Sequence, residues 1–238
     1  MPVLSNQGPS LLGVLLDTHQ RAWARQVRRS SLWVVGIYLL LSSSFVSSQE
    51  NLNAGYRFLA TPSVLQQGAG EVLNAYIPAN WHTLHRGWED QRGLEEWAPL
   101  GQTLLNWREM LAFQLLEGVQ MQPAAYLRQQ AEHLSRHCHF SAFHSLPVQT
   151  SSALQAPNYP SAMQASWCGQ VEGAPWGEIL LTRVVQGERT LYILSKSWRT
   201  IPFTSVVGIG LPESEIQLWS ETLSRSFLCD SNLNNCPF

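Results

Sequence analysis

Histidine is the residue type whose spacing most invites chemistry in this chain. His133 and His137 stand four apart, with Cys138 and His139 directly after them. In a helix that spacing puts both imidazoles on one face, where they can share an ion. His139 adds a third nitrogen if the chain turns back after the helix. Such a set suits zinc or copper. The competing reading is a solvated helix end, whose His and Arg side chains complement the helix dipole.

A second cluster is Trp81, His82, His85 and Trp88, a polar and aromatic candidate binding surface. The plainer reading places these residues at ordinary positions of an alternating strand. Glu95 and Glu96 are adjacent carboxylates. In a strand they point to opposite faces, so they cannot share a substrate proton without a bulge. No G-x-S-x-G elbow, Walker loop or G-x-G-x-x-G is present, and Gly208-Ile209-Gly210 lacks the third glycine. The sequence therefore assigns no catalytic residue and no cofactor. A hydrolase, including one that acts on carbohydrate through exposed tryptophans, would need a site formed only in the fold.

The cysteines are Cys138, Cys168, Cys229 and Cys236. Four cysteines allow three connectivities. Cys138–Cys168 and Cys229–Cys236 are the favoured pairs: the first ties a helix end to a distant strand, the second closes a short polar loop. No C-x-x-C occurs, so neither a zinc ribbon nor a thioredoxin-type site is indicated.

The elements that must position these residues read as follows. Strand patterns cover Val72–Ile77, His82–Glu89 and Gly93–Ala98, and Asn106–Met110 suggests one helical turn before Leu111–Leu116. Pro123 opens a helix with Leu127, Ala131 and Leu134 on one stripe. Further strands are expected at Phe140–Val148 and Gln164–Cys168, with a loop at 149–160 between them. Gly177–Val185 and Thr190–Trp198 form a hairpin across Gln186–Arg189. Pro212 opens a last helix, with Ile216, Trp219 and Leu223 in register and Phe227 continuing the stripe. The fold class is α+β: a mostly antiparallel sheet flanked by two main helices, preceded by an N-terminal hydrophobic export segment.

That segment is defined by charge. Arg25, Arg28 and Arg29 precede the apolar run Leu32–Leu41, and small polar residues follow to Ser48. This is the layout of a signal peptide, with cleavage expected between Ser48 and Gln49. The alternative is a signal anchor held in the inner membrane by residues 32–46, with the basic end in the cytoplasm. The expected organisation is a signal peptide or anchor over 1–48, a flexible lead-in over 49–70 and one domain over 71–238. All four cysteines fall in that domain, which fits a periplasmic or secreted address, where disulfides persist. Residues 49–238 carry eleven basic and sixteen acidic side chains, net −5. That charge offers no footprint for nucleic acid. The only membrane contact expected is the N-terminal segment itself, if it stays uncleaved.

Several short runs carry a resemblance. They are Tyr76-Ile77-Pro78-Ala79-Asn80-Trp81, Glu96-Trp97-Ala98-Pro99-Leu100-Gly101-Gln102-Thr103, Asn106-Trp107-Arg108-Glu109-Met110, Trp167-Cys168, Leu191-Tyr192 after Gly187, Trp198-Arg199 and Cys229-Asp230. In this order they resemble an uncharacterised group of exported proteobacterial proteins with a PsbP-like α+β domain, over about residues 71–230. The resemblance implies an envelope location and a binding or assembly role with a protein partner. It supplies no catalytic residues.

Overall fold

The computed structural model describes residues 70–148, 159–230, 232 and 236, and the backbone of residues 56–60. The export segment, the Ser48–Gln49 junction and residues 149–158 of the loop expected over 149–160 lie outside the described residues. In chain order the elements are β1 (Tyr56–Ala60), β2 (Glu71–Pro78), β3 (Trp81–Glu89), β4 (Arg92–Pro99), β5 (Glu109–Glu117), α1 (Pro123–His137), β6 (Ser141–Leu146), β7 (Ser161–Cys168), β8 (Gly177–Gln186), β9 (Thr190–Thr200), α2 (Glu213–Arg225) and β10 (Phe227–Asp230).

Among the described residues every strand pairing is antiparallel, where a mostly antiparallel sheet was expected, but the strands divide between two sheets. The larger has the order β3-β4-β5-β9-β8-β7-β6, the smaller β1-β2-β10. The β8–β9 hairpin forms the middle of the larger sheet. Its strands are buried on both faces, so their apolar runs are nearly continuous. On one face Leu111, Phe113, Leu115, Ile179, Leu181, Tyr192 and Leu194 meet Leu73, Ala75 and Ile77 of β2 and Trp219 and Leu223 of α2. On the other face α1 lies against β6, β7 and β8.

The helices follow their sequence signals. α1 starts at Pro123, buries Tyr126, Leu127 and Leu134, and ends at Cys138. α2 has Glu213 and Glu215 in its first turn and Arg225 in its last, matching the dipole at both ends. The buried Arg183 of β8 donates from Nη1 to the carbonyls of Leu223, Ser224 and Ser226, satisfying the acceptors where α2 ends. Burial pushes its guanidinium down to about 10.

Three expectations need correction. The lead-in over 49–70 contains β1, whose Tyr56 pairs with Pro78 and Ala60 with Asn74. Phe227 does not extend α2: Ser226 is already extended, and Phe227–Asp230 crosses to pair with β2. Asn106–Met110 is not a helical turn. Residues 104–106 make a hydrogen-bonded turn, and Glu109 already belongs to β5.

Candidate functional site

Cys138 and Cys168 are joined, as are Cys229 and Cys236. The first bridge ties the end of α1 to the end of β7. His133 and His137 do share a helix face, with ring centroids 4.3 Å apart. The carboxylate of Glu172, however, lies 2.9 Å from His137 Nδ1. His139 is exposed, and its backbone N–H donates to the Gln170 carbonyl. Among the described residues no three His, Cys, Asp or Glu side chains converge to hold a metal. The third ligand fails because the chain leaves α1 in an extended direction, bridging to Val171, instead of turning back over the helix. Burial, then the nearby His137 and Arg136, lower the pKa of His133.

The patch expected from Trp81, His82, His85 and Trp88 is not one surface. Trp81 is buried against Trp219, their centroids 5.7 Å apart. Trp88 is half-buried on the core, His82 is half-buried and His85 is exposed. A bulge between Thr83 and His85 separates the two halves of the set. Glu95 and Glu96 both lie buried in β4, and Glu95 is ion-paired with Arg86 of β3. A cleft lined by Gln91, Glu117, Gly118, Gln120, Glu188 and Arg189 holds no serine, histidine or cysteine.

The most built-up part of the molecule is the end of the large sheet where β5 begins and β9 finishes. Lys196, the only lysine of the chain, is fully buried there. Its Nζ is 4.7 Å from the ring centroids of Trp81, Trp198 and Trp219, and donates to Glu109 Oε2 at 2.6 Å. Burial pushes the ammonium down to about 8, against the opposing pull of Glu109 and Glu215. Trp219 donates to Glu215 Oε1 at 3.0 Å, which fixes its ring over the ammonium. Arg199 is held between two other indoles: its guanidinium carbon is 3.7 Å from the Trp107 centroid and 4.1 Å from that of Trp176. Burial lowers its pKa as well. Caged cations of this kind are stabilised by the ring quadrupoles when water is excluded.

Two loops rest on this platform. Glu109 pairs with Trp198, so the loop before β5 and the loop after β9 emerge side by side. Residues 100–108 are organised from within. Thr103 N–H and its hydroxyl donate to Asn106 Oδ1, and Gln102 Oε1 accepts from the N–H groups of Arg108 and Glu109. The loop over 201–211 is anchored where Phe203 N–H donates to the Gly169 carbonyl and its ring meets Phe140 edge-on. Every large hydrophobic side chain that is exposed among the described residues belongs to these two loops: Leu100, Leu104, Leu105, Ile201, Val206 and Val207.

Sequence reasoning missed this platform, although a signal was present. Tyr192, Leu194, Lys196 and Trp198 alternate along β9. Strand periodicity therefore places the lone lysine on the core face.

The two borders of the large sheet also differ. β3 carries the bulge, two histidines, Arg86 and Glu89. β6, with sequence Ser-Ala-Phe-His-Ser-Leu, has no acidic, lysine, arginine or proline residue, and its pairing with β7 runs without a register shift.

No protein-family model matches the sequence, and no curated protein does. Among solved structures, a point mutant of the protein Mog1 superposes with a TM-score of 0.47 at 12% identity, covering 75% of this chain and 98% of that one. The Saccharomyces cerevisiae Ran-binding protein Mog1p gives 0.46 at 12% identity, covering 76% and 98%. Likeness of this size carries no argument about what the present chain binds.

Proposed function

We propose that this chain is a non-catalytic, exported domain that binds a protein partner in the cell envelope, by accepting an extended segment of that partner along β6. The observation that carries the reading is the contrast between the two sheet borders. An edge strand presents unpaired N–H and C=O groups, and proteins usually blunt it with charge, proline or a bulge. β3 has charge and a bulge; β6 has neither. Added strands take their affinity from main-chain hydrogen bonds, which an unguarded edge supplies. The Cys138–Cys168 bridge holds the start of β6 rigid, since Ser141 pairs with Cys168. A preorganised edge loses less entropy on binding.

The export part rests on two bridges that use all four cysteines, a pattern of oxidising compartments. The same address follows from the resemblance to exported PsbP-like proteins, whose shared residues Trp81, Trp97, Trp107 and Trp198 all lie in the core. The non-catalytic part is supported by Lys196 and Glu71, buried groups with shifted pKa values, which are occupied by structural partners.

The test is photo-crosslinking in cells producing the full chain, with the probe at Ser145 of β6 or at Thr83 of β3. One recurrent protein adduct from Ser145, lost when Ser141→Pro removes an N–H that faces away from β7, is the expected result. Equal adducts from both borders, or none from Ser145, would sink the reading. An adduct found only in the cytoplasmic fraction would sink its envelope part alone.

A further inference from the structure

We propose that the end of the sheet carrying residues 100–108 and 201–211 seats on a lipid bilayer, with Leu100, Leu104, Leu105, Ile201, Val206 and Val207 entering the acyl boundary. This goes beyond protein binding at β6 and does not depend on it.

Three observations point to lipid. The first is chemical type. The six exposed side chains are all aliphatic, and Ile201 and Val207 are more than four-fifths exposed. Protein interfaces draw their binding energy mainly from Trp, Tyr and Arg, with Leu and Val under-represented. The tryptophans at this end are instead occupied in holding Lys196 and Arg199. An acyl boundary asks only for apolar surface on a firm support.

The second is charge. Residues 99–108 and 199–212 contain no aspartate or glutamate, and they contribute Arg108 and Arg199. Of the acids that border them, Glu109 is bonded to Lys196 and Glu215 accepts from Trp219, while Glu213 stands exposed at the start of α2. A domain of net −5 is repelled by anionic headgroups. These loops are where its approach to them is least opposed.

The third is the direction from which the chain arrives. Tyr56 pairs with Pro78, and Asn80 accepts a hydrogen bond from the Leu100 N–H. The chain therefore enters β1 at the same end as the aliphatic loops. In sequence only nine residues, 47–55, separate Tyr56 from the apolar run that closes at Val46. Fully extended, nine residues reach roughly 30 Å. An apolar run thus stands close in sequence to the strand that begins at the end carrying the aliphatic loops.

Hydrogen exchange of the full chain with and without vesicles of phosphatidylethanolamine and phosphatidylglycerol reads the loops separately from the N-terminal segment. Amides over 100–108 and 201–211 are expected to slow by about tenfold when vesicles are added. Amides of the Gln186–Arg189 turn at the far end should not change. Leu105→Ser with Val207→Ser, both at exposed positions, should abolish the loop protection while the rest of the domain exchanges as before. The proposal is overturned if vesicles leave the loops unprotected or if the double variant is protected as strongly as the parent. It is equally overturned if a lipid-free envelope extract protects the loops and vesicles do not, since the occupant is then a protein. A missing adduct at β6 would leave these outcomes unchanged.

Discussion

The two ends of the large sheet bury charges of opposite sign in opposite surroundings. At the aliphatic end Lys196 sits among three indole rings and one carboxylate. At the other end Glu71 of β2 accepts from the Glu188 N–H and the Tyr192 hydroxyl, beneath the β8–β9 turn. A Cβ at Gly187 would lie 2.5 Å from Glu71 Oε2, so a larger residue there would displace the carboxylate. Burial raises the Glu71 pKa, and the neighbouring charges of Glu188 and Asp230 raise it further. One end thus hides its cations and shows aliphatic surface, while the other gathers acids. The comparison teaches that a weakly charged chain can still be polarised, because the placement of a few buried ions decides what each end shows.

Each end also carries one disulfide, and the largest predicted effects come from removing them in turn. Replacing Cys138 and Cys168 together by Ala opens a link across 30 residues. In the chain-entropy model that costs about 3–4 kcal/mol. Replacing Cys229 and Cys236 opens a link across 7 residues, for which the same model gives about 2 kcal/mol. Urea unfolding of the two double variants should rank them in that order. A larger loss from the shorter bridge would show that the acidic end, not the aliphatic one, depends more on its staple.

The next effect separates charge from packing at Lys196. Lys196→Ala leaves a cavity among Trp81, Trp198 and Trp219 and should cost about 3 kcal/mol. Lys196→Met keeps the volume and removes the charge, so it should stay within about 1.5 kcal/mol of the parent. Equal losses would mean the ion pair with Glu109, not the fill, holds α2 to the sheet. The pH dependence gives a second reading. The folded protein releases this proton near 8, the unfolded chain near its ordinary 10.5. Between those values the unfolded state binds more protons, so Lys196 makes stability rise with pH, by on the order of 3 kcal/mol across the window. Lys196→Met should lack that rise.

How much of this was legible in the sequence follows from what periodicity can report. Apolar runs on either side of a polar turn marked β8 and β9, because their residues pack locally in one hairpin. Periodicity missed β1, five residues set among Gly, Gln and Ser, because that strand is specified by its partner β2 and not by its flanks. It misread Phe227, since a residue four beyond Leu223 fits a helix stripe as well as a strand that crosses to β2. The histidine spacing was read correctly as far as one helix face. Closing a third ligand depended on the direction of the chain after Cys138, which spacing does not encode. Trp81 looked like surface beside two histidines, yet it faces Trp219, whose approach is a tertiary event. The aliphatic end was hidden for the same reason: Leu100–Leu105 and Ile201–Val207 are far apart in sequence, and only the pairing of Glu109 with Trp198 makes them neighbours.

The smallest predicted effect lies at the acidic end and has the opposite sign to that of Lys196. Because its folded pKa is raised, Glu71 takes up a proton at a pH where the unfolded chain, near 4.5, has already lost it. In that window the folded state binds more protons. The contribution of Glu71 to stability therefore falls as pH rises from 4.5 through the folded pKa, and then stays constant. Glu71→Gln keeps the shape and removes the titration. Its side-chain carbonyl can still accept from Glu188 or Tyr192, so the net change at neutral pH should be less than that of either substitution at Lys196. Subtracting the unfolding free energies of parent and Glu71→Gln at successive pH values isolates the term. The difference should move against the parent as pH rises from 4.5, while the parent's difference from Lys196→Met moves in its favour above pH 8. If both differences moved the same way, the two buried charges would not be the opposed pair that the geometry describes.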